Sequence, residues 1–422
     1  MIHADRILVL TGLALVLLGL SSRAVKRYAL SPVLLALGAG VLVGPHVLHL
    51  IDPESVVPRG KLLEQLSRVA LALSVFDIAL RTKPSDLRAN RGRIAVLLLA
   101  LMPAMWLVTA LGASLLLGLP LALALLLGAT LTPTDPGVAS ALVAGVLPNR
   151  LLPRRLRMSL QVEAGANDGL ALPFVLFAGL LATAPNGQVL NRWAVEAGRE
   201  LGTAVVVGAL VGLLLLWLTD LAGIERLAEE DWFPLASTGV SLTVLGAAHI
   251  LGGTGIFAVF IAGLIFSEGL PEDLRQPIHT VHRSVTKVAL TVVFLAFGTV
   301  LPVDAWWPSL GGAGVAFAVW ALVMRRLPVG LPALLLTSTG PVSSAFIGWS
   351  GPLGVAAIYY LAFIERYDVA GGERLFLAGS LAVTVSVLGH ALTSALAVRA
   401  YGRVTGTEVE EGERAEVDGP LP

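Results

Sequence analysis

Two aspartates lie deep in runs of apolar residues, where a side chain that short cannot reach water. Asp135 sits in LLLGATLTPTDPGVASALVAG and Asp168 in MSLQVEAGANDGLALPFVLFAG. A charge held at the centre of a bilayer costs at least about 2.5–3.5 kcal/mol, so such residues are functional candidates by default. Glu163 precedes Asp168 on the same run, and Arg326 is a further charge in a later apolar run. The chemistry open to these groups is ionic. As a carboxylate Asp168 can hold a cation and as a carboxylic acid a proton, but not both at once. That exclusion is enough to couple two ion movements. A small hard cation wants oxygen ligands, and a carboxylate, a Thr hydroxyl such as that of Thr134, and carbonyls released from a helix supply them.

The backbone around Asp135 is built to release such carbonyls. Thr132-Pro133-Thr134-Asp135-Pro136-Gly137 places Pro133 and Pro136 inside an otherwise helical run, and each proline removes a donor and clashes with the preceding turn. A second interruption, Gly348 to Gly354, contains Gly351, Pro352 and Gly354. Unwound backbone at membrane depth persists only where protein or a water-filled cavity satisfies it. Two broken helices at corresponding places in two halves predict inverted repeats whose half-helix ends meet near the midplane.

The elements that position these residues follow from hydropathy. The chain has 422 residues, 56% apolar and 14% charged, against about 25% charged in a soluble domain. Spanning a roughly 30 Å hydrocarbon core takes about 20 apolar residues of helix, and about thirteen segments approach that length. They fall near 5–21, 30–50, 61–81, 92–118, 120–147, 156–183, 199–219, 234–250, 252–267, 280–301, 309–336, 341–363 and 374–400. The expected fold is therefore an all-α polytopic membrane protein occupying 1–403, followed by a short acidic tail, 404–422, that is expected to be disordered. No segment between spans is long enough to bury a core of its own. The first span is read as retained, because Arg23, Lys26 and Arg27 follow its apolar run instead of preceding it. With alternating spans, Arg23/Lys26/Arg27, the cluster from Arg81 to Arg93 and the cluster from Arg150 to Arg157 share one side with the tail. Cytoplasmic loops are the Lys- and Arg-rich ones, so the N-terminus is expected outside and the C-terminus in the cytoplasm. Equal numbers of basic and acidic residues leave no basic stripe for nucleic acid. The absence of cysteine excludes thiolate metal sites and disulfides.

At this point the motifs resemble a family. TPTDPGVAS followed by EAGANDGLALPFV is similar to the monovalent cation:proton antiporters that include bacterial NhaP-type and animal Na⁺/H⁺ exchangers. VMRRLPVGLPALLL followed by FIGWSGPLGVAAIYYLA resembles in particular the branch containing fungal plasma-membrane Na⁺(K⁺)/H⁺ antiporters. The resemblance implies a secondary transporter, not an enzyme, that exchanges Na⁺ (or Li⁺ or K⁺) for H⁺ by alternating access in the cell membrane, without a cofactor. It implies that Thr134 and Asp135 help ligate the cation and that Asp168 carries cation and proton in turn. Asn167, where electrogenic relatives have a second aspartate, implies one cation per proton. Glu163 and Arg326 are expected to pair and brace the helix bearing Asp168. A homodimer in the lipid bilayer is implied too, with a moving core at about 92–183 and 309–400 against a dimerising part at about 5–81 and 234–301. Two positions depart from the family pattern. Ala164 stands where many members place a serine ligand, and Leu353 stands where many carry arginine.

Other readings fit parts of the pattern. Paired intramembrane aspartates also occur in aspartyl proteases, whose YD and GxGD pattern is not matched by Thr134-Asp135 and Asn167-Asp168. A cation channel would call for a pore-loop repeat, which the chain lacks. Asp135 between prolines is placed to cap the following half-helix as well as to ligate an ion. Asp77 and Arg81, spaced i,i+4, read as a surface pair, with a place at the mouth of a cavity as the alternative. His390 reads as a satisfied polar residue in an apolar helix.

Overall fold

The computed structural model describes residues 2–20, 31–52, 57–143, 146–183, 187–221, 232–270, 272–328 and 340–407, and all regular structure among them is helical. Arg23, Lys26, Arg27, the far part of the 309–336 span and the tail from 408 onward lie outside the described residues. Among the described residues the expected spans fall on helices, several of them broken into shorter ones. The first helices are α1 (Ile2–Leu20), α2 (Pro32–Val43) and α3 (Arg59–Arg81). A π-turn at Leu97–Leu101, just ahead of Pro103, joins α4 (Pro84–Val96) to α5 (Met102–Leu117). A proline there withdraws one donor from the ladder, and a wider turn absorbs the mismatch.

The span at 120–147 is cut into α6 (Leu121–Thr130), α7 (Pro136–Val143) and α8 (Val146–Leu151). The span at 341–363 is cut into α16 (Pro341–Trp349) and α17 (Val355–Ile364). Both cuts fall on the proline- and glycine-bearing segments. Helices α6 and α17 have 10 residues each, so each rises about 15 Å, half the thickness of the hydrocarbon layer. Neither can cross alone, and their inner ends must be satisfied by protein.

Between the two cuts lie α9 (Arg154–Leu170), α10 (Leu172–Thr183), α11 (Val189–Leu221), α12 (Trp232–Ile250), α13 (Gly255–Gly269), α14 (Glu272–Thr299) and α15 (Val303–Val323); α18 (Gly372–Thr405) follows. The 234–250 and 252–267 segments are thus separate helices joined by a tight turn at Gly252. Six helical stretches are long and apolar enough to cross a bilayer unaided, among them Arg154–Thr183 and Gly372–Thr405. The 156–183 span is nonetheless interrupted at Ala171, between α9 and α10 and just before Pro173. Arg326 lies in the turn that follows α15, not within a helix.

Packing places α9 at the centre. It contacts α3, α4, α7 and α13, and every residue from Val162 to Gly169 is buried. Helix α13 approaches so closely because α9 turns a glycine toward it. A Cβ at Gly169 would lie 2.6 Å from Phe257 Cβ, below any real contact distance. Gly169→Leu should therefore push α13 away at a cost of about 1–3 kcal/mol. The expected result is a lower melting temperature of the purified protein in detergent; an unchanged melting temperature would contradict this packing.

Candidate ion-binding site

Chain breaks expose backbone groups, and the two breaks meet each other. The Asp135 N–H donates to Pro352 O at 2.9 Å, joining the first break to the second. The Asp135 carboxylate then accepts from both following half-helices: Oδ1 from the Val138 N–H of α7 at 2.8 Å, and Oδ2 from the Val355 N–H of α17. One anion thus caps two helix N-termini, where free N–H groups and the positive dipole end favour negative charge. Gly354 makes this possible, since a Cβ there would lie 2.5 Å from Asp135 Cγ and Oδ2.

The opposite ends carry the opposite charge. Helices α6 and α16 terminate at the same breaks and leave carbonyls unpaired. Arg325 Nη1 donates to Leu131 O at 2.7 Å, Thr132 O at 3.1 Å and Pro133 O at 3.3 Å, while Nη2 donates to Gly351 O. One fully buried guanidinium therefore serves the carbonyl ends of both broken helices. Helix α18 finishes the second break: Leu353 N–H donates to Ser386 Oγ at 2.9 Å, and His390 Nε2 lies 3.0 Å from Trp349 O. His390 is accordingly a buried structural group.

Helix α9 is tied to the first break through Asn167. Its Nδ2 donates to Thr134 Oγ1 at 2.8 Å and to Glu163 Oε1 at 3.3 Å, and its Oδ1 accepts the Thr134 N–H at 3.2 Å. Glu163 is also held by Arg326 in a bidentate pair, both contacts at 2.7 Å, with both residues almost wholly buried. Asp168 is different. It is completely buried, and neither carboxylate oxygen has a hydrogen-bond partner. The charges of Asp135 and Glu163 act on it. Only its backbone is fixed: Tyr360 Oη donates to Asp168 O at 2.6 Å, where the helix is interrupted.

A cavity of about 120 Å³ reaches α9 at Ala164, about one helical turn before Asp168. Asp77, Arg81, Arg283, Lys287 and Ser350 are among its other lining residues. The Asp77–Arg81 pair is thus not a surface pair: Asp77 is 8% exposed and lines the cavity, with Arg81 donating to both its oxygens. The other end of α3 lies about 33 Å away. There Arg59 donates to Glu365 at 3.3 Å and Arg366 to Glu64 at 2.6 Å, two ion pairs of opposite polarity between α3 and the end of α17.

A model of the sodium/hydrogen exchanger transmembrane domain matches residues 12–399. The chain belongs to the sodium/hydrogen exchanger family. Membership removes the protease alternative and makes the chain a multi-pass membrane transporter. It is 29% identical over 366 residues to a Na⁺/H⁺ antiporter of Schizosaccharomyces pombe, covering 82% of this chain and 76% of that one. It is 28% identical to Na⁺/H⁺ antiporter 2 of Zygosaccharomyces rouxii, covering 76% of this chain and 41% of that one. It is 29% identical to the K⁺/H⁺ antiporter NhaP2 of Shewanella oneidensis, covering 78% of this chain and 56% of that one. The chain thus spans less than two thirds of the length of several relatives. The fold is that of the sodium proton antiporter MjNhaP1 from Methanocaldococcus jannaschii, with TM-score 0.74 at 19% identity over 96% of this chain and 98% of that one.

Within this exchanger, Thr134, Asp135, Glu163, Asn167, Asp168 and Arg326 are gathered where the two breaks, α9 and the turn after α15 meet. Sequence reasoning passed over Arg325. The signal was present, since Arg325-Arg326 is a double charge in an apolar run, but spacing alone does not tell which guanidinium turns to a carboxylate and which to carbonyls. Glu163→Leu should strand the Arg326 charge and cost about 3–5 kcal/mol. Thermal unfolding should show that loss, and adding Arg326→Leu should recover most of it; a double variant no more stable than the single one would contradict the pairing.

Proposed function

We propose that the chain exchanges a monovalent cation for a proton across the membrane, with Asp168 as the group that the two occupy in turn. The observation that carries this reading is the contrast among three buried carboxylates. Glu163 is neutralised by Arg326, Asp135 is held by two helix N-termini, and Asp168 has no protein partner for either oxygen. A carboxylate so placed is neutralised by binding a proton or by binding a cation. The relatives' names, Na⁺/H⁺ and K⁺/H⁺ antiporters, support the same pair of ions.

Asp168 is assigned as the carrier. Thr134 Oγ1 and the lone pairs left on the Asp135 oxygens are assigned as neighbouring ligands, with Asn167 holding Thr134 in place. Because Asn167 is uncharged, one titrating carboxylate serves each cycle, which favours electroneutral one-for-one exchange. Na⁺ is the leading cation, with Li⁺ and K⁺ as alternatives. No cofactor enters the cycle, since the two ion gradients suffice.

Alternating access is assigned to rocking of the 92–183 and 309–400 core, an inverted-repeat pair with crossed broken helices, against the 5–81 and 234–301 part. The cavity, which reaches α9 at Ala164, is assigned as the approach to Asp168 from the side bearing Arg81, and the Arg59–Glu365 and Glu64–Arg366 pairs are assigned as the closure of the other side. Exposed apolar residues on α1 and α11, such as Leu17, Leu210 and Trp217, suit lipid or a second copy in a homodimer. The cell membrane, with the N-terminus outside and the C-terminus cytoplasmic, is the proposed location.

In proteoliposomes with a preformed pH gradient, addition of Na⁺, K⁺ or Li⁺ should dissipate the gradient, and Asp168→Asn should abolish the response. A fully active Asp168→Asn variant would refute the mechanism. If cation and proton compete for one carboxylate, lowering pH should raise the apparent KM for the cation while the maximal rate at saturating cation changes little. A fall in maximal rate at constant KM would contradict competition. A rate that follows an imposed membrane potential would contradict one-for-one exchange.

A further inference from the structure

A cation leaving water for Asp168 must find protein oxygens to replace its hydration shell. Ala164 lies four residues before Asp168, on the same helical face, and offers no side-chain oxygen. The cavity that reaches Ala164 is also lined by Ser350, which belongs to the second helix break.

Ser350 has an unspent hydroxyl. The residue is 4% exposed, and its Oγ is buried without a hydrogen-bond partner. Thr286, which lines the same cavity, spends its hydroxyl on His282 O at 2.9 Å. Ser386 is taken by the Leu353 N–H. Ser350 differs because its backbone has left the helix, with φ −80° and ψ 53° just past the end of α16. A buried hydroxyl left unmatched costs about 1–3 kcal/mol, so an unspent one lining a cavity beside an ion site calls for a ligand. Among the described residues Ser67 is the other serine with such an oxygen, and it does not line this cavity. The acidic residue in the cavity, Asp77, already accepts from Arg81 on both oxygens.

We propose that Ser350 Oγ ligates the transported cation and stands in for the hydroxyl that Ala164 lacks. The proposal rests on the exchange reading above. It moves one ligand from the middle of α9 to the second helix break. There it adjoins Gly351, whose carbonyl Arg325 holds, so the oxygen is presented on braced backbone and can discriminate cations by size. Ligation would then draw together α9, through Asp168, and the α16–α17 break, through Ser350.

The test uses the full chain in proteoliposomes, with KM measured separately for Na⁺, Li⁺ and K⁺. Ser350→Ala removes an oxygen that bonds nothing in the protein, so it should fold. It should raise KM for the preferred cation by about fivefold, as loss of one neutral ligand implies. Ala164→Ser added to Ser350→Ala should return KM to within about twofold of the parent. A second readout needs no transport: the cation concentration that gives the half-maximal rise in melting temperature in detergent should shift by the same factor. Unchanged KM and unchanged half-maximal concentration in Ser350→Ala, with the parent exchanging normally, would overturn the ligand assignment alone. Failure of Ala164→Ser to restore KM would overturn the substitution of one hydroxyl for the other. A parent protein that exchanges none of the three cations would overturn the exchange reading, and this assignment with it.

Discussion

Everything at the site depends on how two broken helices are kept from coming apart. Each break presents a carbonyl end and an N–H end, and the four ends sort by charge. Asp135 sits between the N-termini of α7 and α17, and Arg325 between the carbonyl ends of α6 and α16. Helix ends carry partial charges of opposite sign, and in a medium without water only protein groups can answer them. A single carboxylate and a single guanidinium, each serving two helices, do so with the fewest buried charges. They also neutralise each other's presence in the low-dielectric interior, so the pair of breaks carries no net formal charge.

That balance explains why Asp168 can be left uncompensated. Glu163 is neutralised by Arg326, and Asn167 links that pair to Thr134, so the first break, α9 and the turn after α15 form one connected polar unit. A charge added to or removed from Asp168 acts on a frame that is otherwise satisfied. The hydroxyls of Thr130, at the end of α6, and Thr132, in the first break, are both spent on carbonyls of α6.

Access follows from the same arrangement. The half-helix α17 runs from the break to the Glu365–Arg366 pair, which is locked to α3, whereas the other end of α3 opens onto the cavity. The element that carries a helix N-terminus to Asp135 is therefore the one whose far end is tied to α3 by two ion pairs. Helix α9 contacts α3 and α13 across its glycine-bearing face, where Gly165 and Gly169 let Ile78, Phe260 and Phe257 approach closely.

The amino-acid sequence by itself determined the spans, the two breaks and the identity of the buried carboxylates. Apolar length, proline chemistry and the cost of an intramembrane charge are local properties that a linear reading captures. The pairing of Glu163 with Arg326 came from the family resemblance of its motifs. Four things were decided only by tertiary structure. The task of Arg325 was one, because its carbonyl partners lie far away in the chain at Leu131 to Pro133 and come from two separate helices. The double capping by Asp135 was another, since Val355 meets it only after folding. The third was the Asp77–Arg81 pair, whose i,i+4 spacing is the same on a solvent-facing or a cavity-facing side of α3. The last was the contrast that singles out Asp168: three acidic residues look alike in the sequence, and only packing leaves one of them without a partner.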